Sequence, residues 1–354
     1  MMCNEDRKIV LVTGASGFVA EHLIPKLKRK LDCIVVGLDR KSKPSAICDY
    51  YIESNLNDLN IDMFQDIPPI DAVYHLAAAR ADWGISDEEY FSDNYDASIA
   101  LLEVCEALSI NEIVFVSSVS VMPQNTLNPQ SEQSPIEPIN AYGRSKAEAE
   151  KKFEGFALED PSRSIKIIRP VVLYGPSDPT QTGLYRAVDN NIFRLIDGIF
   201  KKRFAIVGDG ATIKSTAYVN NFVAALMFIL DEKPGLEVFV YTDEPTKTTL
   251  ELVQIIRRKL EKRGKGLMIN YKLAVALAQI FDPLSRLLKI NFPITKARVE
   301  TFVRPTNFTR ARLNKLGFEQ PISTEKAIED TVDWYKQLRK NDNLDFFFFR
   351  DRSQ

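Results

Sequence analysis

Histidine is scarce in this chain, with two copies among 354 residues, and cysteine follows with four (Cys3, Cys33, Cys48 and Cys105). None of the cysteines forms a CxxC pair. Neither a metal centre nor a disulfide framework is therefore expected, and a reducing compartment is. Net charge is nearly absent too: 46 Lys and Arg against 48 Asp and Glu leave −2. A chain so balanced offers no broad basic surface and is not expected to bind nucleic acid. Its short basic runs, 26–30 and 257–265, fall in helical patterns and read as solvated faces. Long hydrophobic runs are missing as well. No stretch reaches the roughly 18 uninterrupted apolar residues of a spanning helix. The first residues, "MMCNEDRKIVLVTG", pass from charge into an apolar run with no signal segment. A cytoplasmic protein is the expectation.

What is present is alternation. "KIVLV" (8–12), "CIVVGL" (33–38), "DAVYHL" (71–76), "EIVFVS" (112–117) and "SIKIIR" (164–169) are continuous, β-branched and flanked by polar or turn residues. They read as strands buried on both faces, the pattern of a parallel sheet. Helix candidates lie between them near 17–30, 92–108 and 142–158, which implies a doubly wound α/β sheet. After residue 170 the pattern turns helical, at 184–201, 219–232, 248–264 and 324–340. Thr248 and Glu251 have capping-box spacing, and Ile328, Val332, Tyr335 and Leu338 form one stripe. The second half reads as a smaller, helix-rich lobe interleaved with the sheet.

Two stretches carry chemistry. "VTGASGFVAEHL" (12–23) follows the first strand and opens a helix. Gly14 and Gly17 allow a tight turn whose N–H groups can meet a pyrophosphate, and Ala20 is small enough for close helix–strand packing. The second strand ends in Asp39, where a carboxylate can accept from ribose hydroxyls and repel a 2′-phosphate. That favours NAD, while the adjacent Arg40 keeps NADP as the alternative. "NAYGRSKAEAE" (140–150) sets Tyr142 one helical turn before Lys146. A phenol of pKa near ~10 is a poor base at neutral pH. A fixed ammonium on the same face would lower that value and make it a usable acid/base.

With these residues in one ordered chain, the sequence resembles the extended short-chain dehydrogenase/reductase family, which includes the nucleotide-sugar epimerases and dehydratases. The resemblance runs from about Lys8 to about Tyr335. "TGASGFVA" looks like the family's glycine turn, "HLAAA" (75–79) like the segment lying along the cofactor, "VSSVSV" (116–121) like the strand bearing a catalytic hydroxyl, and "YGRSK" is its YxxxK motif. It implies a Rossmann-type NAD(P)-binding domain over 1–175, a mainly substrate-binding lobe over 176–340 and a tail, 341–354. Ser118, Tyr142 and Lys146 would be catalytic. Gly14, Ser16, Gly17, Phe18, Val19, Asp39, Arg40, Asn55, Leu56, Leu76, Ala77, Ala78, Tyr142, Lys146 and Pro170 would line the cofactor. Asn94 would be structural. Ser118, Tyr142, Lys214 and Arg304 would meet the substrate. The implied activity is oxidoreduction at a carbinol or keto carbon of a nucleotide-activated sugar, by a 4-epimerase or a keto-sugar reductase. A homodimer paired through the helices near 92–108 and 142–158 is implied as well.

Some positions depart from the family pattern. In "IRPVVLYGP" (168–176) Val172 and Leu173 stand where Asn is usual, which opens a hydrophobic-alcohol dehydrogenase of 3β-hydroxysteroid type as the alternative. A cofactor-binding regulatory protein is a third reading. "VGDGATIKSTAYVNNFVAAL" (207–226) has Lys214 at a position where Arg commonly contacts a diphosphate. Val119 and Ser120 replace the acidic pair of a 4,6-dehydratase, which argues against that chemistry. Glu132 and Glu137 read as solvated loop charges. The apolar stretch 273–292 is interrupted by Asp282, Pro283, Arg286 and Lys289, and reads as packing for the second lobe. The Phe346–Phe349 tail has no assigned role.

Overall fold

The computed structural model describes residues 7–80, 85–123, 128–178, 187–188, 190–231, 233–264, 266–276, 279, 299 and 303–340. The tail and most of 273–292 lie outside these residues.

Continuous apolar runs become strands wherever helices can cover both faces. β1 (Ile9–Thr13) leads through a glycine turn into α1 (Phe18–Lys30), followed by β2 (Ile34–Asp39), β3 (Tyr50–Glu53) and β4 (Ala72–His75). Then come α2 (Asp87–Phe91), a π-helical turn (Ser92–Asp96), α3 (Ala97–Ala107), β5 (Glu112–Val116), α4 (Ala141–Glu159) and β6 (Ser164–Pro170). β1 is buried at every position, as its uninterrupted IVLVT run predicts. The second half adds β7 (Leu173–Tyr174), α5 (Asn191–Phe200), β8 (Ala205–Val207), β9 (Ile213–Lys214), β10 (Ala217–Tyr218) and α6 (Val219–Leu230). Beyond it lie β11 (Gly235–Tyr241), β12 (Lys247–Thr248), α7 (Thr249–Lys259), β13 (Leu267–Ile269), α8 (Ala311–Lys315) and α9 (Thr324–Lys340).

Seven strands form one parallel sheet in the order β11-β6-β5-β4-β1-β2-β3. The order reverses between β1 and β4, and a crevice for ligand opens at the carboxyl ends of those strands. The sheet holds two strands more than the five expected. β3 is short and partly exposed at one edge. β11 pairs with β6 along its full length, from Gly235 opposite Ser164 to Tyr241 opposite Pro170. Glu132 is no solvated charge: its Oε1 accepts from Val240 N on β11 at 2.9 Å, occupying a donor on that edge strand. Lys26 likewise turns inward, donating to Asn220 Oδ1 at 2.8 Å. The helix expected over 92–108 begins earlier, behind a capping box at Ser86 and Glu89, and carries the π turn in its middle. The capping box at Thr248 and Glu251 forms as its spacing predicts.

A separate core serves the second lobe. Phe193, Ile196, Ile256, Ile328, Val332 and Tyr335 pack together there, so the stripe on α9 meets α5 and α7.

Candidate active site

The glycine turn sits at the β1/β4 crevice. Gly14 has φ +68°, and a Cβ there would lie 2.8 Å from Ala77 N, so only glycine lets the turn touch the segment after β4. A hydrogen-bonded chain fixes that segment. Ala77 N donates to Thr13 Oγ1 (3.2 Å), Thr13 Oγ1 to His75 Nδ1 (2.7 Å), and His75 Nε2 to Ser98 Oγ (3.1 Å). Ser98 Oγ then donates to Asn94 O at 2.6 Å. Burial holds His75 neutral, its pKa well below the usual imidazole value. Asn94 clamps Ala79 through both backbone groups (2.7 and 3.2 Å) and donates to Ser145 Oγ at 3.0 Å, tying this wall to α4. Leu76, Ala77 and Ala78 line the crevice half-buried.

Asp39 lies at the end of β2, where its carboxylate receives Ser16 N (3.0 Å) and Lys41 N (3.1 Å). A carboxylate has about four lone-pair sites, so capacity for ribose hydroxyls remains. Arg40 turns away to pair with Asp93 at 3.0 Å. Val19 is half-buried, while the Phe18 side chain is absorbed in the second lobe's core; what Phe18 offers a cofactor is its backbone N–H. Asn55 caps the short turn Leu56–Asp58, and Pro170 ends β6; both stand at carboxyl ends of strands.

Ser118 follows β5 and caps the turn Val119–Val121, accepting Ser120 N at 3.1 Å. Asn140 caps α4 through Gly143 N (2.7 Å), so Tyr142 and Lys146 occupy its first turns. A Cβ on Gly143 would collide with the Ser120 carbonyl oxygen. Glycine there brings the start of α4 against the segment carrying Ser118. Lys146 is 1 % exposed, and its Nζ has no hydrogen-bond partner. The ammonium lies 4.3 Å from the centre of the Phe115 ring, and burial lowers its pKa to about 7. Glu150, one turn on, is already bound by Arg169 through both oxygens at 3.0 and 2.6 Å. Ser117 Oγ is also unpartnered. Unsatisfied donors beside a glycine turn fit a ribose and nicotinamide: Lys146 would meet the ribose hydroxyls, and the turn's N–H groups the pyrophosphate.

In the second lobe the two cations expected to meet the substrate lie together. Lys214 Nζ donates to the Arg304 carbonyl oxygen at 2.5 Å, and β9 runs beside 304–306 through a bridge between Lys214 and Thr306. Burial, then the Arg304 charge, brings the Lys214 pKa down to about 8. Arg304 itself is exposed. Ser215, at the position of the family's Asp, accepts Phe308 N at 3.0 Å. Asn221 bridges Asp243 (3.1 Å) and Ile322 O (2.8 Å) in the interior, so the Asn pair serves packing. Val172 and Leu173 are half-buried. The residue that sequence reasoning missed is Gly143; glycine in the first turn of a long helix, at a cost of about 1 kcal/mol, was its signal. Among the described residues no cluster of His, Cys, Asp and Glu could hold a metal ion, and no helix is long and apolar enough to cross a membrane.

The model of the NAD dependent epimerase/dehydratase family matches residues 10–240. An N-acetyl-alpha-D-glucosaminyl-diphospho-ditrans,octacis-undecaprenol 4-epimerase from Escherichia coli O157:H7 is 28% identical, covering 95% of this chain and 98% of its own. A UDP-glucose 4-epimerase from Vibrio cholerae is 27% identical over 83% and 92%. Among solved structures, MoeE5 in complex with UDP-glucuronic acid and NAD superposes with a TM-score of 0.70 at 26% identity, covering 93% of this chain and 99% of that one.

Proposed function

Because the chain belongs to the NAD dependent epimerase/dehydratase family, we propose that it inverts C4 of a diphosphate-activated sugar, with a nucleotide-sugar as substrate and NAD as cofactor. What supports this reading is the start of α4, which bears Tyr142 and the unpartnered, buried Lys146, packed against the Ser118 segment through Gly143. NAD would supply the reversible acceptance of hydride at the carbinol carbon. Tyr142 would take the proton of the C4 hydroxyl and return it to the same oxygen once the ketone has turned and hydride has come back to its opposite face. Ser118 would hold the C4 oxygen in both orientations. Lys146 would keep a positive charge near the phenol and bind the ribose. Lys214 and Arg304 would hold the diphosphate, Lys214 as a point charge without the bidentate fork of Arg. An epimerase fits better than a reductase, since the relatives 28% and 27% identical over 95% and 83% of the chain are named 4-epimerases, while a 2-alkyl-3-oxoalkanoate reductase matches at only 23%. We also propose a cytoplasmic homodimer.

A second carrier has a specific observation behind it: the relative matched over 95% of this chain is named for a sugar on a polyprenyl diphosphate. Thermal unfolding with saturating NAD, followed by UDP, GDP, dTDP or CMP singly, separates the carriers. A ligand at one hundred times its Kd stabilises by about 2.7 kcal/mol. A selective shift with one nucleotide supports a nucleotide-sugar. A shift with NAD alone favours the lipid-linked sugar or the hydrophobic alcohol, and proton NMR of the C4 configuration in a short-chain polyprenyl-diphospho-sugar decides between those two. Tyr142→Phe should lower turnover by about 10²–10⁴-fold with NAD binding retained. Full turnover in that variant rejects the mechanism.

A further inference from the structure

We propose that the edge of the second lobe along β13, from the loops leading into β8 and β13 to the turn that follows β13, is a docking face for an anionic phospholipid bilayer, whichever sugar the active site turns over. The two strands run parallel, with Ala205 opposite Leu267 and Val207 opposite Ile269, so the loops leading into them lie side by side. One loop carries Lys202 and Arg203, the other Lys262 and Arg263, and Lys272 follows β13. Among the described residues none of these five cations pairs with a carboxylate, whereas their neighbours Lys201, Arg258 and Lys259 all do. The acids beside them are Glu261 and Asp209, the latter next to Gly208, whose N donates to Ile269 O. In a chain of net charge −2, this is a local concentration of unneutralised positive charge.

Apolar side chains stand beside it. Leu267 is 66 % exposed, Leu273 54 %, Tyr271 47 % and Met268 42 %. Single exposed apolar residues are ordinary, but four within seven positions of chain are not. A cavity of about 130 Å³ opens between α5, β8, α7 and β13, lined by Phe204, Ile206, Val253 and Leu267 together with Lys202 and Arg257. The loops are held in place. Arg257 donates to Gly264 O at 2.9 Å and to Arg263 O, and Lys262 reaches across to Phe200 O at 3.0 Å. Fixed cations next to exposed apolar groups match the phosphate and acyl layers of a bilayer interface. A second copy of the chain fits less well, because a two-fold contact through this face would set its own cations against each other.

Flotation of the full chain with vesicles tests the assignment. Equal parts phosphatidylcholine and phosphatidylglycerol should carry it, and pure phosphatidylcholine should not. Each surface cation is worth about fivefold in partitioning, so Lys202→Gln/Arg203→Gln/Arg263→Gln together should lower binding on the order of a hundredfold. Leu267→Ser/Leu273→Ser should remove the part of the binding that survives raised salt. These residues are exposed, so melting temperatures should stay unchanged. Equal flotation with both vesicles, or none, overturns the proposal. So does a halved mass for Leu267→Ser/Leu273→Ser by light scattering, which would make this face a contact between subunits.

Discussion

At Lys146 function and stability pull in opposite directions. A buried donor without a partner costs about 1–3 kcal/mol, more when charged, and this ammonium has the Phe115 ring beneath it and the charge of Glu150 acting through space, but no hydrogen bond. Glu150, one turn along, would be its natural partner, but Arg169 holds both carboxylate oxygens. Lys146→Met should therefore raise the stability of the cofactor-free chain by about 1–3 kcal/mol and remove turnover, as read by urea melts and initial rates. A destabilised variant would mean that the amine has a partner in solution. The placement of Tyr142 and Lys146 one turn apart on α4 was legible from their spacing. The proximity of Lys214 and Arg304 was not, because 90 residues separate them and a bridge between β9 and 304–306 sets the distance.

Among the elements, α4 owes its placement to a residue whose meaning is invisible along the chain. Gly143 meets the Ser120 carbonyl, 23 positions earlier, and no local pattern announces that contact. In Gly143→Ala the methyl must push α4 and the Ser118 segment apart. Turnover should fall by about 10-fold or more, since misplacement by an ångström costs up to about 10²-fold. Stability should change less, because alanine recovers up to about 1 kcal/mol of helix propensity. Paired measurements of kcat and melting temperature check both. The buried strands β1, β2, β4, β5 and β6 were legible from their continuous apolar runs. β3 was not, being short and half in water, and β11 was not, lying among helices with its first four residues only partly covered. The Ser86–Glu89 capping box was written in the sequence and passed over, because the helix was read from its apolar residues.

For the molecule as a whole, the buried Lys146 and the half-buried Lys26 and Lys214 set one pH dependence. Burial lowers Lys146 to about 7 and both Lys26 and Lys214 to about 8. Unfolded, each binds a proton up to its ordinary value near 10.5, so between pH 7 and 9 the unfolded chain holds more protons. Stability of the cofactor-free chain should rise with pH across that window. It should turn down above about pH 10.5, where the lysines no longer differ between the two states while the buried thiols Cys48 and Cys105, pushed up to about 11 and about 12, still resist ionising. Melting temperatures at pH 7, 8 and 9 in one ionic strength test this, and a flat or falling profile refutes it. Oligomeric state belongs to this scale as well. On α4, Leu158 is 79 % exposed, so a dimer through α3 and α4 would cover it. Leu158→Glu should then yield a monomer in light scattering at micromolar concentration; an unchanged mass would place the dimer contact elsewhere.

The pairing of β11 with β6 has a consequence for synthesis on the ribosome. Strands β1 to β6 emerge within the first 170 residues, yet the open side of β6 finds its partner only when residues 235–241 have left the exit tunnel. Until then a nascent sheet presents seven residues of unpaired strand, three of them isoleucine, the kind of edge on which other chains assemble. Translation speed over residues 171–234 sets how long that edge stays bare, and a pause in that interval would lower the yield of native protein without altering a single contact in the finished fold.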